Sequence, residues 1–191
     1  GLAAAQYLAD EGARVLVTGR HPEVLADAAR RLGDRGIAVR SDTGSLPQID
    51  ALAERVAAEF GTVHALIVNA GIGSFDPFDA VTEQTFDEVF DINVKGPFFT
   101  VQRLAPLLAP GSGVVLTTST ANRTGWDALS VYSASKAALR SMARTLSREL
   151  LPRGIRVNAI SPGSIDTGKL EKEVPERADE APLADAMIDA A

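Results

Sequence analysis

Cysteine is absent from the 191 residues. That excludes disulfides, thiol nucleophiles and cysteine-ligated metals, and it suits a reducing, cytoplasmic setting. Histidine occurs only twice, at His21 and His64, so no histidine-rich metal site is expected. A basic excess is also missing. The formal net charge is −6, which provides no field to hold nucleic acid. No apolar run nears the roughly 20 residues that a membrane span requires. Aromatics make up 5% of the chain, with two tyrosines and one tryptophan. No internal repeat is visible. What remains is ordinary for a globular domain, with 46% hydrophobic and 23% charged residues. The length suits a single domain spanning 1–191.

Hydrophobic periodicity divides the chain into alternating elements. Residues 2–11 read as an amphipathic helix with Leu2, Ala5, Leu8 and Ala9 on one stripe, stopped by Gly12. A short strand "ARVLVTG" follows. The helix "PEVLADAARRLG" is opened by Pro22 and closed by Gly33. A second strand, "GIAVRSD", leads into a helix ending at Gly61. The third strand, "VHALIVNAG", carries a continuous apolar run, the pattern of a strand covered on both faces. Residues 83–108 are helical, "GVVLTTST" is a fourth strand, 131–151 a helix and "GIRVNAISPG" a fifth strand. Such alternation predicts βαβ units, a parallel sheet and helices on both faces. Ligands of these sheets bind beyond the carboxyl ends of the strands. The residues there are Arg20, Asp42, Asn69 to Gly71, Ser119, Pro162 and Gly163.

Within "SVYSASKAAL", Tyr132 precedes Lys136 by four residues, so a helix carries both on one face. Composition alone gives about 0.04 such pairs in this chain. A free phenol titrates near pH 10 and is a poor base at neutrality; lowering it to about 7 takes roughly 4 kcal/mol. One ammonium at about 4–5 Å supplies that much at an effective dielectric near 20. Lys136 can therefore make Tyr132 a general acid/base. Ser119 ends the fourth strand thirteen residues earlier, at the edge where the next helix starts. Its hydroxyl is placed to hold a carbonyl or alcohol oxygen, although a serine in a "TTST" run also suits a strand end for purely local reasons. A serine-hydrolase reading fails, because there is no G-x-S-x-G elbow and no histidine positioned as base.

Ser119 followed by "YSASK" resembles the short-chain dehydrogenase/reductase family. Its other marks occur in order: "NAG" at Asn69, Ala70 and Gly71, "NVKG" from Asn93 to Gly96, and "SPGSIDT" from Ser161 to Thr167. Within the family, the 3-oxoacyl-carrier-protein-reductase-like and glucose-dehydrogenase-like group is nearest. The resemblance implies a Rossmann-like doubly wound parallel sheet in three αβα layers, incomplete at both ends. It implies hydride transfer between a nicotinamide cofactor and a small-molecule carbonyl or secondary alcohol. By the same resemblance Tyr132 is the acid/base and Ser119 the carbonyl-orienting hydroxyl. Lys136 is the cation that also binds the nicotinamide ribose, and Asn93 anchors a water in the proton relay. Asp42 would meet the adenine amino group, and Ile165 with Thr167 the carboxamide. Family habit further suggests a homodimer or homotetramer. The competing reading is a catalytically inactive nucleotide-binding module of the same fold.

NAD enzymes place an acid after the second strand of the fold to grip the ribose 2′-hydroxyl. Here "RVLVT" is followed by Gly19 and Arg20. An arginine meets a 2′-phosphate instead, so NADP(H) is the expected cofactor, with NAD(H) as the other possibility. Ile72 to Phe75 and Ala121 to Trp126 are expected to line the substrate pocket, with Trp126 either a pocket wall or loop packing. The family's opening strand and "TGxxxGxG" turn have no counterpart, and no strand follows "SPGSIDT". In the family's sheet the missing strand lies between "RVLVT" and "ALIVN". The chain is therefore expected to be a fragment of a longer gene product, folding poorly and binding cofactor weakly by itself.

Overall fold

The computed structural model describes residues 1–165. Five strands run β1 (Val15–Gly19), β2 (Gly36–Arg40), β3 (Val63–Val68), β4 (Leu108–Thr117) and β5 (Arg156–Ile160). Six helices intervene: α1 (Leu2–Asp10), α2 (Pro22–Leu32), α3 (Leu46–Phe60), α4 (Glu83–Phe90), α5 (Gly96–Leu104) and α6 (Ser130–Leu150). Proline at the first turn and glycine just past the last residue delimit α2 and α3. Gly33 and Gly61 there hold φ of +57° and +64°, a region costly for other residues.

All pairing is parallel. β1 pairs with β2, while β4 lies between β3 and β5. Among the described residues β1 and β3 do not pair, so the strands form one two-stranded and one three-stranded sheet. The register sets Val68 beside Leu116 and Leu116 beside Ala159, so three strands end level. Gly19 likewise lies beside Arg40.

Helices cover the sheet in two layers. Val15 and Val17 of β1 pack with Ala5, Ala9 and Leu32 of α1 and α2. Leu16, which alternates to the opposite face, packs with Leu52, Val56 and Leu104 of α3 and α5. The largest core joins Val114, Leu116, Ile155 and Val157 to Val101 of α5 and to Leu139 and Ala143 of α6. Val114, Leu116 and Ile155 are fully buried, each contributing about 1.5–3 kcal/mol.

The third strand departs from the sequence expectation. Leu66 and Val68 face the core, but Ala65 and Ile67 are exposed, Ile67 by 39%. The reason is the layering. α3, α5 and α6 cover one face of β3–β5, whereas α1 and α2 reach only the β1–β2 half. The helical region 83–108 is also interrupted. Between α4 and α5 the backbone widens into a π-turn over Asp91–Lys95, centred on Asn93, a distortion frequent at functional sites. β4 ends at Thr117, so Ser119 stands two residues beyond its strand, opening a short 3-10 turn.

Candidate active site

Tyr132 lies in the first turn of α6 and Lys136 one turn on. The Lys136 ammonium sits 5.6 Å from the centroid of the Tyr132 ring. Lys136 is only 4% exposed, and its Nζ donates to the Thr117 carbonyl at 3.1 Å. Burial disfavours the charged form and lowers its pKa from 10.5 to about 8. Gly71 makes this placement possible: a Cβ there would lie 3.0 Å from Lys136 Nζ and 3.2 Å from Asn93 Oδ1. The "NAG" glycine thus leaves room for the buried Lys136 ammonium.

Asn93 is fully buried. Its Oδ1 accepts from the Ile72 N–H at 2.8 Å, and its Nδ2 donates to the Ile72 carbonyl at 2.9 Å. Both polar groups of one loop residue are clamped by one amide, which orients the loop after β3. Asn93 Nδ2 also donates to Ser135 Oγ at 3.0 Å.

Ser119 Oγ accepts from the Ala121 N–H at 3.2 Å, capping the 3-10 turn while it lines the cavity. The local role expected of this serine is met, and the residue also borders the cavity. Behind it, Asn122 Nδ2 donates to the Ser119 carbonyl, to Thr118 Oγ1 at 3.3 Å and to Ser161 Oγ at 2.9 Å. Arg140 of α6 donates to Asn122 Oδ1 at 3.3 Å. Asn122 and Ser161 lie in stretches singled out from the sequence, but Thr118 and Arg140 were not legible as site residues, nor was the network that joins the four. Polar residues near a strand end were their only signal, and a packing partner 18 to 43 residues away has no sequence period.

These groups open on a cavity of about 320 Å³ at the carboxyl ends of β3, β4 and β5. Ser119, Tyr132, Lys136, Asn69 and Gly71 line it together with Ile72, Gly73, Phe75 and Trp126. Pro162, Gly163 and Ile165 close another side. Trp126 is thus a wall of the cavity, its indole N–H donating to Thr124 Oγ1. Ala70 is exposed at the loop and does not line the cavity, and Thr167 lies outside the described residues.

A second cavity, about 740 Å³, lies beyond β1 and β2 and contains Arg20, Asp42, Gly44 and Ile92. Asp42 Oδ1 accepts from the Gly44 N–H at 2.9 Å, a local turn contact of the kind aspartate favours. The α4 side of this cavity presents Glu83, Asp87 and Glu88, with Asp91 from the π-turn. Sequence reasoning missed this acidic wall, because α4 is about 60 residues from Arg20 in the chain.

One cavity holds Arg20, five carboxylates and the apolar Ile92; the other sets a buried ammonium among apolar walls. Among the described residues no group of acidic or histidine side chains is arranged to hold a metal ion, and no helix is long and apolar enough to cross a membrane.

The lysine's depressed pKa has a consequence for pH. The folded state prefers the neutral amine, so this group's contribution to stability rises as pH climbs from about 8 toward 10.5. The cation beside Tyr132 is lost over the same rise. The kcat/KM of a reaction that draws on this cation is expected to fall above about pH 8. Lys136→Arg, which keeps its charge, should move that limb to higher pH. A pH profile with no limb near 8 would contradict the assignment.

Parallel strands flanked by helices, with a tyrosine, a lysine and a serine lining a cavity at the strand ends, place this chain in the class of Rossmann-like folds, whose ligands bind at that edge. The comparison with known proteins narrows this. The family model described as short chain dehydrogenase matches residues 1–178. An oxidoreductase of Sarocladium schorii is 42% identical over 169 residues, covering 87% of this chain and 68% of its own. Galactitol 2-dehydrogenase of Agrobacterium fabrum is 37% identical, with 87% and 66% covered. A dehydrogenase/reductase from Sinorhizobium meliloti superposes with a TM-score of 0.83 at 32% identity, covering 96% of this chain and 74% of its own. The chain belongs to the short-chain dehydrogenase family. It spans about two thirds of the length of those curated relatives.

Proposed function

We propose that the protein interconverts a carbonyl compound and its secondary alcohol with a nicotinamide cofactor, Tyr132 serving as general acid/base. The observation that carries this reading is the convergence of Ser119, Tyr132 and Lys136 on one cavity at the strand ends. The cofactor, when bound, supplies or accepts the hydride. Asn69, Gly71, Lys136, Pro162, Gly163 and Ile165, which line one cavity, would hold its reactive end, and Arg20, Asp42 and Ile92, which line the other, its adenosine end. Thr167 belongs to the same set by sequence. In reduction, Ser119 Oγ and the Tyr132 hydroxyl hold the substrate oxygen, and Tyr132 delivers its proton to it. Lys136 stabilises the phenolate left behind, and Asn93 fixes the loop that walls the cavity. The substrate is a small molecule, and the protein is read as a cytoplasmic homodimer or homotetramer. The stacked Phe86 and Phe90, 4.6 Å apart, and the exposed Phe98 support an association surface on α4 and α5. The test is a panel of ketones and alcohols assayed by NADPH and NADH absorbance with the gene product carrying this chain. No turnover with any of them would sink the catalytic reading in favour of a nucleotide-binding module.

NADP(H) preference is part of this reading, supported by Arg20 in the adenosine-end cavity. One observation favours NAD(H) instead: five carboxylates, Asp42, Glu83, Asp87, Glu88 and Asp91, share that cavity and would repel a 2′-phosphate. Arg20→Ala separates the two. Under the first reading the NADPH-to-NADH ratio of kcat/KM falls at least about tenfold, the value of a lost charge-assisted pair. A ratio below one that Arg20→Ala leaves unchanged would establish NAD(H).

A further inference from the structure

Ser135, three residues after Tyr132 and one before Lys136 in α6, takes no part in the chemistry outlined above. It is fully buried. Its Oγ donates to the Tyr132 carbonyl at 2.7 Å and accepts from Asn93 Nδ2 at 3.0 Å. A mid-helix serine often bonds back to the preceding turn, and that contact alone would be unremarkable. The second contact changes its meaning. A serine hydroxyl has one proton, and here it is committed to the Tyr132 carbonyl. Its lone pair therefore faces the π-turn and receives the Asn93 amide. Asn93 in turn makes its other two hydrogen bonds to the N–H and carbonyl of Ile72.

The result is a buried chain of four groups crossing three elements: the loop after β3, the π-turn and α6. It starts at Ile72, a wall of the cavity, and ends at the backbone of the residue whose phenol faces that cavity. Both Nδ2 protons of Asn93 are placed by it, and Oδ1 accepts one N–H. Removing the serine oxygen leaves one of those protons without its acceptor in a dry site.

We propose that Ser135 is a positioning residue, locking the Tyr132–Lys136 turn of α6 to the Asn93-clamped wall of the cavity. This rests on the oxidoreductase reading of the site. It acts through Asn93 and Tyr132 and touches neither substrate nor cofactor.

The test is steady-state kinetics on the gene product with Ser135→Ala, Asn93→Ala and the double variant. Ser135→Ala should lower kcat by about ten- to a hundredfold, the scale of a small misplacement of reacting groups. KM for substrate and cofactor should change by less than about twofold, because uniform binding is untouched. In the Asn93→Ala background the same substitution should cost less than about twofold, since linked groups are not additive. Wild-type kcat in Ser135→Ala, or a full multiplicative loss in the double variant, overturns the proposal. Should Ser135→Ala not fold, Ser135→Cys fills the space with a weaker hydrogen-bonding group. A reduced kcat there at unchanged KM supports the lock, and a wild-type kcat overturns it. An inactive wild type overturns the oxidoreductase reading itself and this proposal with it, a result distinguishable from an active wild type with an indifferent Ser135→Ala.

Discussion

Tyr132→Phe is expected to lower kcat by about a hundred- to ten-thousand-fold while cofactor affinity stays within about twofold of wild type. That loss corresponds to roughly 3–5 kcal/mol of transition-state stabilisation. The substitution removes one oxygen and keeps the ring that packs beside the Lys136 ammonium at 5.6 Å. α6 and its buried face, Val131, Ser135, Leu139 and Ala143, are untouched, so the fold is preserved. Only the proton donor at the substrate oxygen is gone. Turnover followed by nicotinamide absorbance, with cofactor affinity measured by titration calorimetry, checks both halves. Undiminished turnover would show that another group carries the proton. Loss of cofactor binding would show that the phenol serves binding and not chemistry.

Gly96→Ala is expected to destabilise the protein by about 1–3 kcal/mol, the usual cost of overfilling a packed site. An ordinary helix would gain from this change, by about 1 kcal/mol. Here a Cβ would stand 2.3 Å from the Thr43 carbonyl oxygen, 2.4 Å from Thr43 Cγ2 and 3.0 Å from the Thr43 carbonyl carbon. Two of those atoms are backbone, so they cannot swing aside. The loop that must move carries Asp42 and Gly44, both in the adenosine-end cavity. Nucleotide binding should therefore weaken along with the melting temperature, which falls by about 2–4 °C per kcal/mol in a protein of this size. Gly125→Ala is the control. A Cβ there meets nothing within 4 Å, and its melting temperature should match wild type. A Gly96→Ala variant as stable as that control would mean the loop and α5 separate freely.

Gly96 and Ser135 show where the sequence was readable and where it was not. Both sit inside motifs singled out beforehand, "NVKG" and "YSASK", yet neither carried a stated reason. The reason for each lies in an element far along the chain: Thr43 for Gly96, and Asn93, 42 residues away, for Ser135. The exposed Ala65 and Ile67 make the same point from the opposite side. Their apolar run was read as two-sided cover, but which helices reach which half of the sheet is set by packing, not by the strand's own pattern.

Taken alone, the amino-acid order determined that five strands alternate with helices among the described residues, though not that the helical region 83–108 divides in two, because backbone geometry repeats at 2.0 and 3.6 residues and apolar side chains follow it. It also determined that a phenol and an ammonium share one helix face, and that Ser119 stands at a strand end, since these are local spacings. Tertiary structure alone decided that Asn93 clamps Ile72, that Ser135 joins that clamp to α6, and that Arg20 looks across at a wall of carboxylates. Such contacts join residues whose separation along the chain carries no period. They exist only once the helices are pressed on the sheet and each buried polar atom has to find its partner there.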